Sequence, residues 1–347
     1  MKTFEKEMRI CLKLAQKGEG KTSPNPMVGC VVLNKKGDII STGYHKKYGK
    51  FHAERDALLK INKNKGHTLI VNLEPCCHFG KTPPCTDIIL EKGIKEVVFG
   101  MKDPNPIVAG KGLEILKKAG IKLIGPILEN ECKKLNEFFI KNKTTNMPFV
   151  AIKTATTIDG KIATKSGDSK WITSEKARNK GRQLRKKYDA ILTSSSTVIA
   201  DNPEMRHKNK IILDRNLKTD LNSEIYKNGN IYVFCEFKPK PTKKNIKYIQ
   251  TPVINNQLDI KFILKKLYEL GIMSVFVEAG GNLNNSFLPY ADKLYHFTAP
   301  KILSDNSGMT CFNGPSKEKI NECIEFIHEK TLKYPPDILN IYSIAKH

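Results

Sequence analysis

The segment from His52 to Cys85 decides how the N-terminal half of the chain is interpreted. It reads His52-Ala53-Glu54-Arg55-Asp56-Ala57 at its start, Asn72-Leu73-Glu74-Pro75-Cys76-Cys77-His78 in its middle and Pro83-Pro84-Cys85 at its end. A histidine, a nearby glutamate and a returning pair of cysteines together supply one imidazole and two thiolates. Zinc binds such ligands tetrahedrally, and three protein ligands leave the fourth position open for water. The segment therefore predicts a catalytic zinc site.

The spacing within this segment follows a known pattern only in part. Zinc nucleobase deaminases carry the signature H-x-E…P-C-x-x-C, and His52-Ala53-Glu54 fits its first half. In the second half, eight residues separate Cys76 from Cys85 where the signature has two. A structural zinc ion closed by Cys77 or His78 is the main alternative, because structural sites use four protein ligands.

The neighbouring sequence places these side chains at the ends of predicted elements. Residues 68–73 form an apolar strand that delivers Cys76, whereas His52 and Cys85 stand at the start of helices predicted over 52–61 and 83–93. A helix N-terminus favours a thiolate over a thiol, which prepares Cys85 to bind a metal. Glu54 projects differently from His52, so it is a poor fourth ligand but is able to move protons at a zinc-bound water.

Composition narrows the class of protein. The chain has 347 residues, 39% of them hydrophobic, which is enough for two globular domains. It has no run of 18 apolar residues, and its charged N-terminus has no apolar h-region, so we expect neither secretion nor a membrane span. Nine cysteines are too few for a disulfide scaffold. We expect a cytoplasmic protein that does not associate with membranes.

The net charge of +24 raises the question of nucleic acid. Only seven of the 59 basic residues are arginines, and the lysines are spread along the whole chain. Recognition of bases and phosphates by bidentate contacts favours arginine. We therefore expect no nucleic-acid partner, and anionic small molecules such as phosphorylated metabolites are the simpler ligands.

A polar stretch at residues 141–146 separates two α/β halves. Strands and helices alternate on both sides of it, which indicates two layered α/β domains. In the second half, Ala279-Gly280-Gly281-Asn282 lies between a predicted strand and a helix, a geometry that suits a phosphate, although a plain tight turn is an equal alternative. Trp171, the only tryptophan, lies in a polar stretch and is interpreted as a flat wall for a ring rather than a core residue.

The motifs together resemble one family, the bifunctional pyrimidine deaminase–reductase of bacterial riboflavin biosynthesis. The resemblance spans nearly the whole chain, and its motifs include residues 25–31, 52–58, 74–85, 103–106, 153–163, 167–173, 193–203 and 277–286. In this family the segment between the two cysteines is long, as it is here. The resemblance implies an α/β fold with a cytidine-deaminase-like α/β/α layered domain (1–145) and a dihydrofolate-reductase-like domain (146–347). It also implies one Zn2+ per chain on His52, Cys76 and Cys85, with Glu54 as the proton shuttle.

For the second domain, the resemblance implies NADPH as cofactor and a phosphorylated pyrimidine as substrate. The implied cofactor-binding residues are Ala155, Trp171, Thr197, Asp201, Arg215, Gly280, Gly281, Asn282, Leu283, Asn284, Asn285 and Ser286. Arg215 is expected to meet the 2′-phosphate of the cofactor. The implied substrate-binding residues are Ser169, Thr173, Arg185, Met205, Lys208 and Glu278.

The chain departs from the family after Asp201-Asn202-Pro203. The family usually has a leucine followed three positions later by an arginine, whereas this chain has Met205-Arg206-His207-Lys208. Either Lys208 replaces that arginine or Arg206 supplies the charge from a shifted position. Lysine holds a phosphate as a point charge, without bidentate geometry.

Two rival functions remain at this point: a nucleic-acid-editing deaminase with a basic RNA-binding second domain, and a zinc-stabilised binding protein without catalysis. The first would need arginine-rich or aromatic surfaces, and the second would have no use for Glu54. We further expect a homo-oligomer and a phosphate contact from Lys81.

Overall fold

The structure is a computed structural model that describes residues 3–80, 82–105, 108–237, 239–240 and 243–344. It divides into two compact units, Met1–Asn146 and Met147–His347. Lys81 lies outside the described residues. None of the helices in the described ranges combines the length and the apolar character needed to span a bilayer.

The first unit is built on a five-stranded sheet in the order β2-β1-β3-β4-β5, counted over the described residues. Its strands are β1 Gly29–Leu33, β2 Ile39–Tyr44, β3 Thr68–Val71, β4 Glu96–Phe99 and β5 Lys122–Ile124. Its helices are α1 Glu5–Gln16, α2 Ala53–Leu58, α3 Cys85–Glu91, α4 Lys111–Lys118, α5 Glu129–Leu135 and α6 Glu137–Thr145. β1 pairs antiparallel with β2 and β3, whereas β3, β4 and β5 run parallel.

Two glycines let helices approach this sheet from opposite sides. A Cβ atom on Gly29 would lie 2.0 Å from the Cys11 carbonyl of α1, and one on Gly43 would lie 2.4 Å from the Ala53 carbonyl of α2. Gly43 pairs with Cys30 across the ladder, and Cys30 faces away from Gly29 because neighbouring strand residues alternate. The close approach of α2 to β2 fixes the helix that begins directly after His52.

The second unit contains a nine-stranded sheet, counted over the described ranges, in the order β11-β10-β9-β8-β14-β6-β15-β18-β17. The strands of this unit are β6 Phe149–Thr156, β7 Lys161–Ala163, β8 Ala190–Ser194, β9 Asn209–Leu213, β10 Asn230–Cys235, β11 Ile246–Gln250, β12 Val253–Ile254, β13 Gln257–Leu258, β14 Ser274–Val277, β15 Lys293–Thr298, β16 Met309–Thr310, β17 Phe326–Tyr334 and β18 Asp337–Ile344. Its helices are α7 Glu175–Arg185, α8 Ser195–Asp201, α9 Ile260–Glu269 and α10 Gly281–Phe287.

The strands from β11 to β15 in this sheet are all parallel, and β18 and β17 extend it in antiparallel fashion. The parallel strands are strongly apolar and buried, as expected for a sheet covered on both faces. Their carboxyl ends therefore meet at one edge, which is where open α/β sheets place ligands. The predicted two-domain α/β class is confirmed.

The last helical stretch of the first unit is divided, because α5 and α6 are separate and meet at Asn136. The Asn136 side chain accepts the Met27 N–H at 2.8 Å and donates to the Met27 carbonyl at 3.0 Å. These buried bonds hold Asn136 outside helical geometry. The polar stretch at 141–146 is mostly helical, since α6 continues to Thr145.

Candidate functional site

Three side chains that are distant in sequence converge in the first unit. The ligand atoms of His52, Cys76 and Cys85 all lie within 4.8 Å of one another. The His52 Nδ1 atom is 3.4 Å from the Cys76 Sγ and 3.5 Å from the Cys85 Sγ. His52 is the extended residue immediately before α2, and Cys85 is the first residue of α3. One nitrogen and two sulfur donors at this separation suit a single zinc ion.

Backbone hydrogen bonds join the two ends of the eight-residue segment between the cysteines. The N–H groups of Cys85 and Thr86 both donate to the Cys76 carbonyl, at 3.0 and 3.2 Å. The Cys76 carbonyl thus accepts hydrogen bonds from the first two N–H groups of α3, which have no acceptor within the helix. These two bonds bring the backbone of Cys85 next to that of Cys76, despite the eight residues between them.

The two thiols share their protons unequally. A hydrogen bond from Cys85 lowers the pKa of Cys76 to about 4, whereas the bond to Cys76, together with burial, raises the pKa of Cys85. The hydrogen bond to Cys76 also raises the pKa of His52. The lowered pKa favours the thiolate, the form of cysteine that binds metals, at Cys76 and not at Cys85, where the helix N-terminus led us to expect it.

Glu54 lies in the first turn of α2, beside this cluster. It is only 3% exposed. Burial, reinforced by the charge of Cys76, raises the pKa of Glu54 to about 7, and its carboxyl group is hydrogen bonded to Cys85. A carboxyl group whose pKa lies near neutrality can both accept and return a proton, as acid–base catalysis requires.

The fourth ligand position differs from that of a structural site. Within the described residues, the metal-competent group consists of His52, Cys76 and Cys85, and neither Cys77 nor His78 belongs to it. Three ligands beside a buried carboxyl group correspond to the open geometry of a catalytic site. The donor set therefore fits zinc with room for a reactant.

Two further polar residues support the cluster and were missed by the sequence interpretation. The Nδ1 atom of His45 lies 2.9 Å from the Phe51 carbonyl, one residue before His52, and its Nε2 atom lies 3.2 Å from the Asn25 amide. The carboxylate of Glu74 is buried and accepts the N–H groups of Asp103, Gly110, Gly112 and Leu113 at 3.0–3.4 Å. Their only sequence signal was their position in or near the motifs.

The second unit places most of its predicted cofactor residues after parallel strands. Ala155 lies near the end of β6, Thr197 in the helix that follows β8, and Arg215 two residues beyond β9. Thr197 is fixed by the Ser194 hydroxyl, which accepts its N–H at 3.3 Å. The loop that begins at Gly280 follows β14, the neighbour of β6 and β8. These residues thus lie along one edge of the sheet.

Trp171 forms part of a cavity of about 200 Å³. Its side chain is 61% exposed, so the core-packing alternative does not hold. Ser169, a predicted substrate residue, also lines the cavity, as do Lys161 and Lys301. An exposed indole beside basic residues is suited to a flat, anionic ligand.

Two predicted substrate residues, Arg185 and Glu278, bind each other. The Arg185 guanidinium donates two hydrogen bonds to the Glu278 carboxylate, at 2.5 and 2.9 Å, and the Lys153 ammonium lies 3.9 Å from the same carboxylate. The charge of Arg185 offsets the effect of burial and keeps the pKa of Glu278 low. The pair presents an ionised, oriented carboxylate at the end of β14.

Arg215 is also engaged. Its Nε atom donates to Glu236 at 2.6 Å, and its Nη1 atom donates to the Asn256 carbonyl at 2.9 Å. Glu236 follows β10, the strand beside β9, so the pair spans two adjacent strand ends. Any 2′-phosphate at this place would meet both a cation and a carboxylate.

The segment that departs from the family pattern is divided between core and surface. Met205 is only 7% exposed and packs with apolar residues on β8, β9 and β10, whereas Asp201 and Lys208 are exposed. The Arg206 guanidinium is paired with Glu204 at 2.7 Å. Of the two candidate cations, Arg206 is therefore already neutralised by a local partner.

The two neighbouring glycines, Gly280 and Gly281, have different surroundings: one is closely packed and the other borders open space. A Cβ atom on Gly281 would lie 2.3 Å from the Thr310 carbonyl, whereas one on Gly280 would meet nothing within 4 Å. Asn284 donates to the Ala279 and Cys311 carbonyls, at 3.1 and 3.0 Å. Gly281 is thus required by the segment around Thr310, and only Gly280 leaves open space for a ligand. The other predicted members of this loop, Asn282, Leu283, Asn285 and Ser286, all lie in α10.

Comparison with protein families divides the chain in the same way. Residues 1–101 match the family described as the cytidine and deoxycytidylate deaminase zinc-binding region. Residues 148–339 match the RibD C-terminal domain.

Relatives align over nearly the full length. The riboflavin biosynthesis protein RibD of Aquifex aeolicus is 42% identical over 312 residues, covering 86% of this chain and 87% of that protein. The RibD protein of Actinobacillus pleuropneumoniae is 37% identical over 359 residues, covering 97% of this chain and 94% of that protein. A crystal structure from Thermotoga maritima, of a diaminohydroxyphosphoribosylaminopyrimidine deaminase/5-amino-6-(5-phosphoribosylamino)uracil reductase, superposes with a TM-score of 0.89 at 38% identity, covering 99% of both chains.

Proposed function

We propose that the two units of this chain, which belongs to the RibD family of riboflavin biosynthesis, each catalyse one of two successive reactions. The protein is a bifunctional deaminase and reductase that acts on small molecules. Residues 1–145 would deaminate 2,5-diamino-6-(5-phosphoribosylamino)pyrimidin-4(3H)-one, and residues 146–347 would reduce the ribosyl chain of the product to ribityl. The observation that carries the first half is the convergence of His52, Cys76 and Cys85 beside the buried Glu54.

In the first unit, His52, Cys76 and Cys85 would hold one zinc ion per chain. Zinc in such a site lowers the pKa of a coordinated water towards neutrality. Glu54 would take a proton from the attacking water and deliver it to the amino group that leaves as ammonia. Its burial supports this role, because a carboxyl group with a pKa of about 7 gives and takes protons at neutral pH.

In the second unit, a nicotinamide cofactor is consistent with the reductase family. We propose NADPH, which when bound supplies a hydride to C1 of the opened ribose. Trp171, Ala155, Thr197, Asp201 and the loop from Gly280 to Ser286 would bind this cofactor, and Arg215 would contact its 2′-phosphate. Their support is their location after parallel strands or at the cavity.

The substrate would lie beside the Arg185–Glu278 pair. Glu278, held ionised by Arg185, would accept hydrogen bonds from the substrate, and Ser169 and Thr173 would orient it. The buried Met205 would contact the substrate from the apolar core of the unit, and Lys208 would attract the substrate phosphate. These roles remain proposals for each residue.

The RNA-editing alternative is not favoured, because the chain aligns with riboflavin biosynthesis proteins over most of their length. The absence of a nucleic-acid partner, a homo-oligomeric state and a cytoplasmic location stay predictions from the sequence.

The decisive experiment follows both reactions in one purified preparation. The zinc-loaded chain is incubated with the diaminopyrimidinone phosphate, with and without NADPH, while ammonia release and NADPH oxidation are recorded. We expect ammonia without NADPH, and NADPH oxidation only after deamination. Ammonia release without any NADPH oxidation would overturn the reductase half of the proposal. The absence of both ammonia release and NADPH oxidation would overturn the whole proposal.

A pair of cysteine variants tests the ligand assignment. Cys85→Ser should lose zinc and deamination, whereas Cys77→Ser should retain both, because Cys77 lies outside the metal-competent group. Zinc content is measured directly by atomic emission. Loss of zinc in Cys77→Ser alone would mean that Cys77 is the ligand.

A further inference from the structure

Trp171 is exposed, yet the segment around it is held at several points. The indole is 61% exposed and lines the cavity. An exposed side chain of this size usually samples several rotamers, and fixing it costs conformational entropy. Contacts that fix it beforehand would remove that cost from ligand binding.

Arg178 contacts both Trp171 and the residue two positions beyond it. Its guanidinium carbon lies 4.2 Å from the centre of the indole ring, which is a stacking contact. Its Nη1 atom donates to the Thr173 carbonyl at 2.6 Å. Arg178 therefore links a proposed cofactor residue to a proposed substrate residue, although it does not itself line the cavity.

The placement of Arg178 carries a cost. Within the described part of the chain its Nε atom is buried and has no hydrogen-bond partner. Burying a donor without a partner is unfavourable. The guanidinium is thus held by the stack on Trp171 and the bond to Thr173, rather than by full satisfaction of its donors.

Two further contacts hold the same segment from other elements. The Lys301 ammonium donates to the Trp171 carbonyl at 2.7 Å, from the loop after β15. The Ser174 N–H donates to the Asp337 carboxylate at 2.7 Å, at the start of β18. Asp337 is only 2% exposed, so this anchor is rigid. The segment from Trp171 to Ser174 is therefore fixed from α7, from β18 and from the loop after β15.

We propose that Arg178 and Lys301 are positioning residues that hold the Trp171 indole ready for the cofactor. Arg178 backs the ring and fixes the Thr173 carbonyl, and Lys301 fixes the backbone of Trp171. Arg178 does not line the cavity and so acts only through Trp171 and Thr173, whereas the Lys301 side chain also lines the cavity. The proposal rests on the proposed function, in which Trp171 contacts NADPH.

The test uses Trp171 as its own reporter, because the chain has a single tryptophan. The full-length, zinc-loaded protein is compared with Arg178→Met, Arg178→Lys and Lys301→Met. Fluorescence anisotropy and acrylamide quenching report the mobility of the indole, and steady-state kinetics give KM for NADPH and kcat for reduction. Lys176→Met, an exposed charge loss on the same helix, is the matched control. Circular dichroism and thermal unfolding verify that the second unit, which carries the substitutions, is folded in each variant.

Arg178→Met should lower the anisotropy of Trp171 and raise KM for NADPH about five- to tenfold, with kcat changed less than about twofold. Arg178→Lys should recover only part of this loss, because lysine keeps the charge but not the planar stack. Lys301→Met should act in the same direction with a smaller effect, and Lys176→Met should match the unmodified protein.

The outcomes distinguish the positioning role of Arg178 from the proposed contact between Trp171 and NADPH, on which it rests. If NADPH leaves the fluorescence of Trp171 unchanged in the unmodified protein, the proposed cofactor contact is wrong. If NADPH quenches that fluorescence but Arg178→Met keeps the original anisotropy and KM, only the positioning role is overturned. A fall in kcat without a change in KM would also overturn it, since Arg178 would then act on the reaction itself.

Discussion

The two candidate sites differ in how their functional groups are held. In the first unit three ligand atoms lie within 4.8 Å of one another, and the nearby Glu54 is buried. In the second unit the groups are spread along the edge of a sheet, and several charged ones are engaged with each other, as Arg185 is with Glu278 and Arg215 with Glu236. The first site is therefore compact, whereas the second extends along the edge of a sheet.

This difference reflects the ligands. A metal ion requires all its donors within a few ångströms, so its ligands converge on one position. An extended dinucleotide instead makes many separate contacts, and each contributes a fraction of the binding energy. Single substitutions should therefore be nearly all-or-none in the first site and graded in the second.

Glu54→Gln should have the largest effect. It keeps the size of the side chain but removes its ability to accept a proton, so deamination should fall about 10²- to 10⁴-fold. Zinc content and reduction of the separately supplied deaminated intermediate should stay unchanged, as measured by metal analysis and NADPH oxidation. Loss of zinc in this variant would instead make Glu54 a ligand and remove the contrast between the two sites.

Glu278→Gln should have the next largest effect. It removes the carboxylate shared by Arg185 and Lys153 and leaves the Arg185 charge poorly compensated. We expect kcat/KM for reduction to fall about 10- to 100-fold, since bonds to charged groups contribute about 1.5–3 kcal/mol each. Deamination should be unaffected. Glu269→Gln, on the exposed side of α9, is the matched control, and equal losses in both variants would contradict a specific role.

The sequence predicted that the three candidate zinc ligands converge, because the signal in this segment is local. His52 directly precedes α2, Glu54 lies in its first turn, and Cys85 begins α3, and helix starts are set by short-range chemistry. The supporting residues were not predictable in this way. Glu74 binds four N–H groups that lie 29 to 39 positions away, and only the folded chain brings them together.

The second unit was predicted less completely, for a physical reason. The strands predicted at residues 149–154, 190–193, 211–213, 231–234 and 274–278 are apolar runs and correspond to β6, β8, β9, β10 and β14. The parallel strands β11 and β15 and the antiparallel strands β17 and β18 were missed, because polar residues interrupt their apolar ones. For Gly281 the sequence left a phosphate site and a plain tight turn as equal alternatives, whereas in the structure the Thr310 carbonyl occupies the space that a Cβ atom would need. Such contacts between distant segments have no pattern in the linear sequence.

Arg215→Leu tests a contact of intermediate size. If Arg215 meets the 2′-phosphate, the preference for NADPH over NADH should fall about tenfold, the value of one charge-assisted hydrogen bond. Glu236→Gln is the opposing variant, because it removes the carboxylate that competes for the same guanidinium. It should raise the preference. If both variants shift the ratio in the same direction, the pair supports the loop and does not select the cofactor.

Lys208→Met should give the smallest effect, and it decides which cation replaces the usual arginine. Lys208 is exposed, so its attraction for a phosphate is screened, and we expect KM for the substrate to rise about threefold at low salt and hardly at all at high salt. Arg206→Met should change KM less, because Glu204 already neutralises Arg206 at 2.7 Å. The reverse order would require Arg206 to leave Glu204 when substrate binds. The charged residues of the second unit would then rearrange when substrate binds, in contrast to the three converged ligand atoms of the first unit.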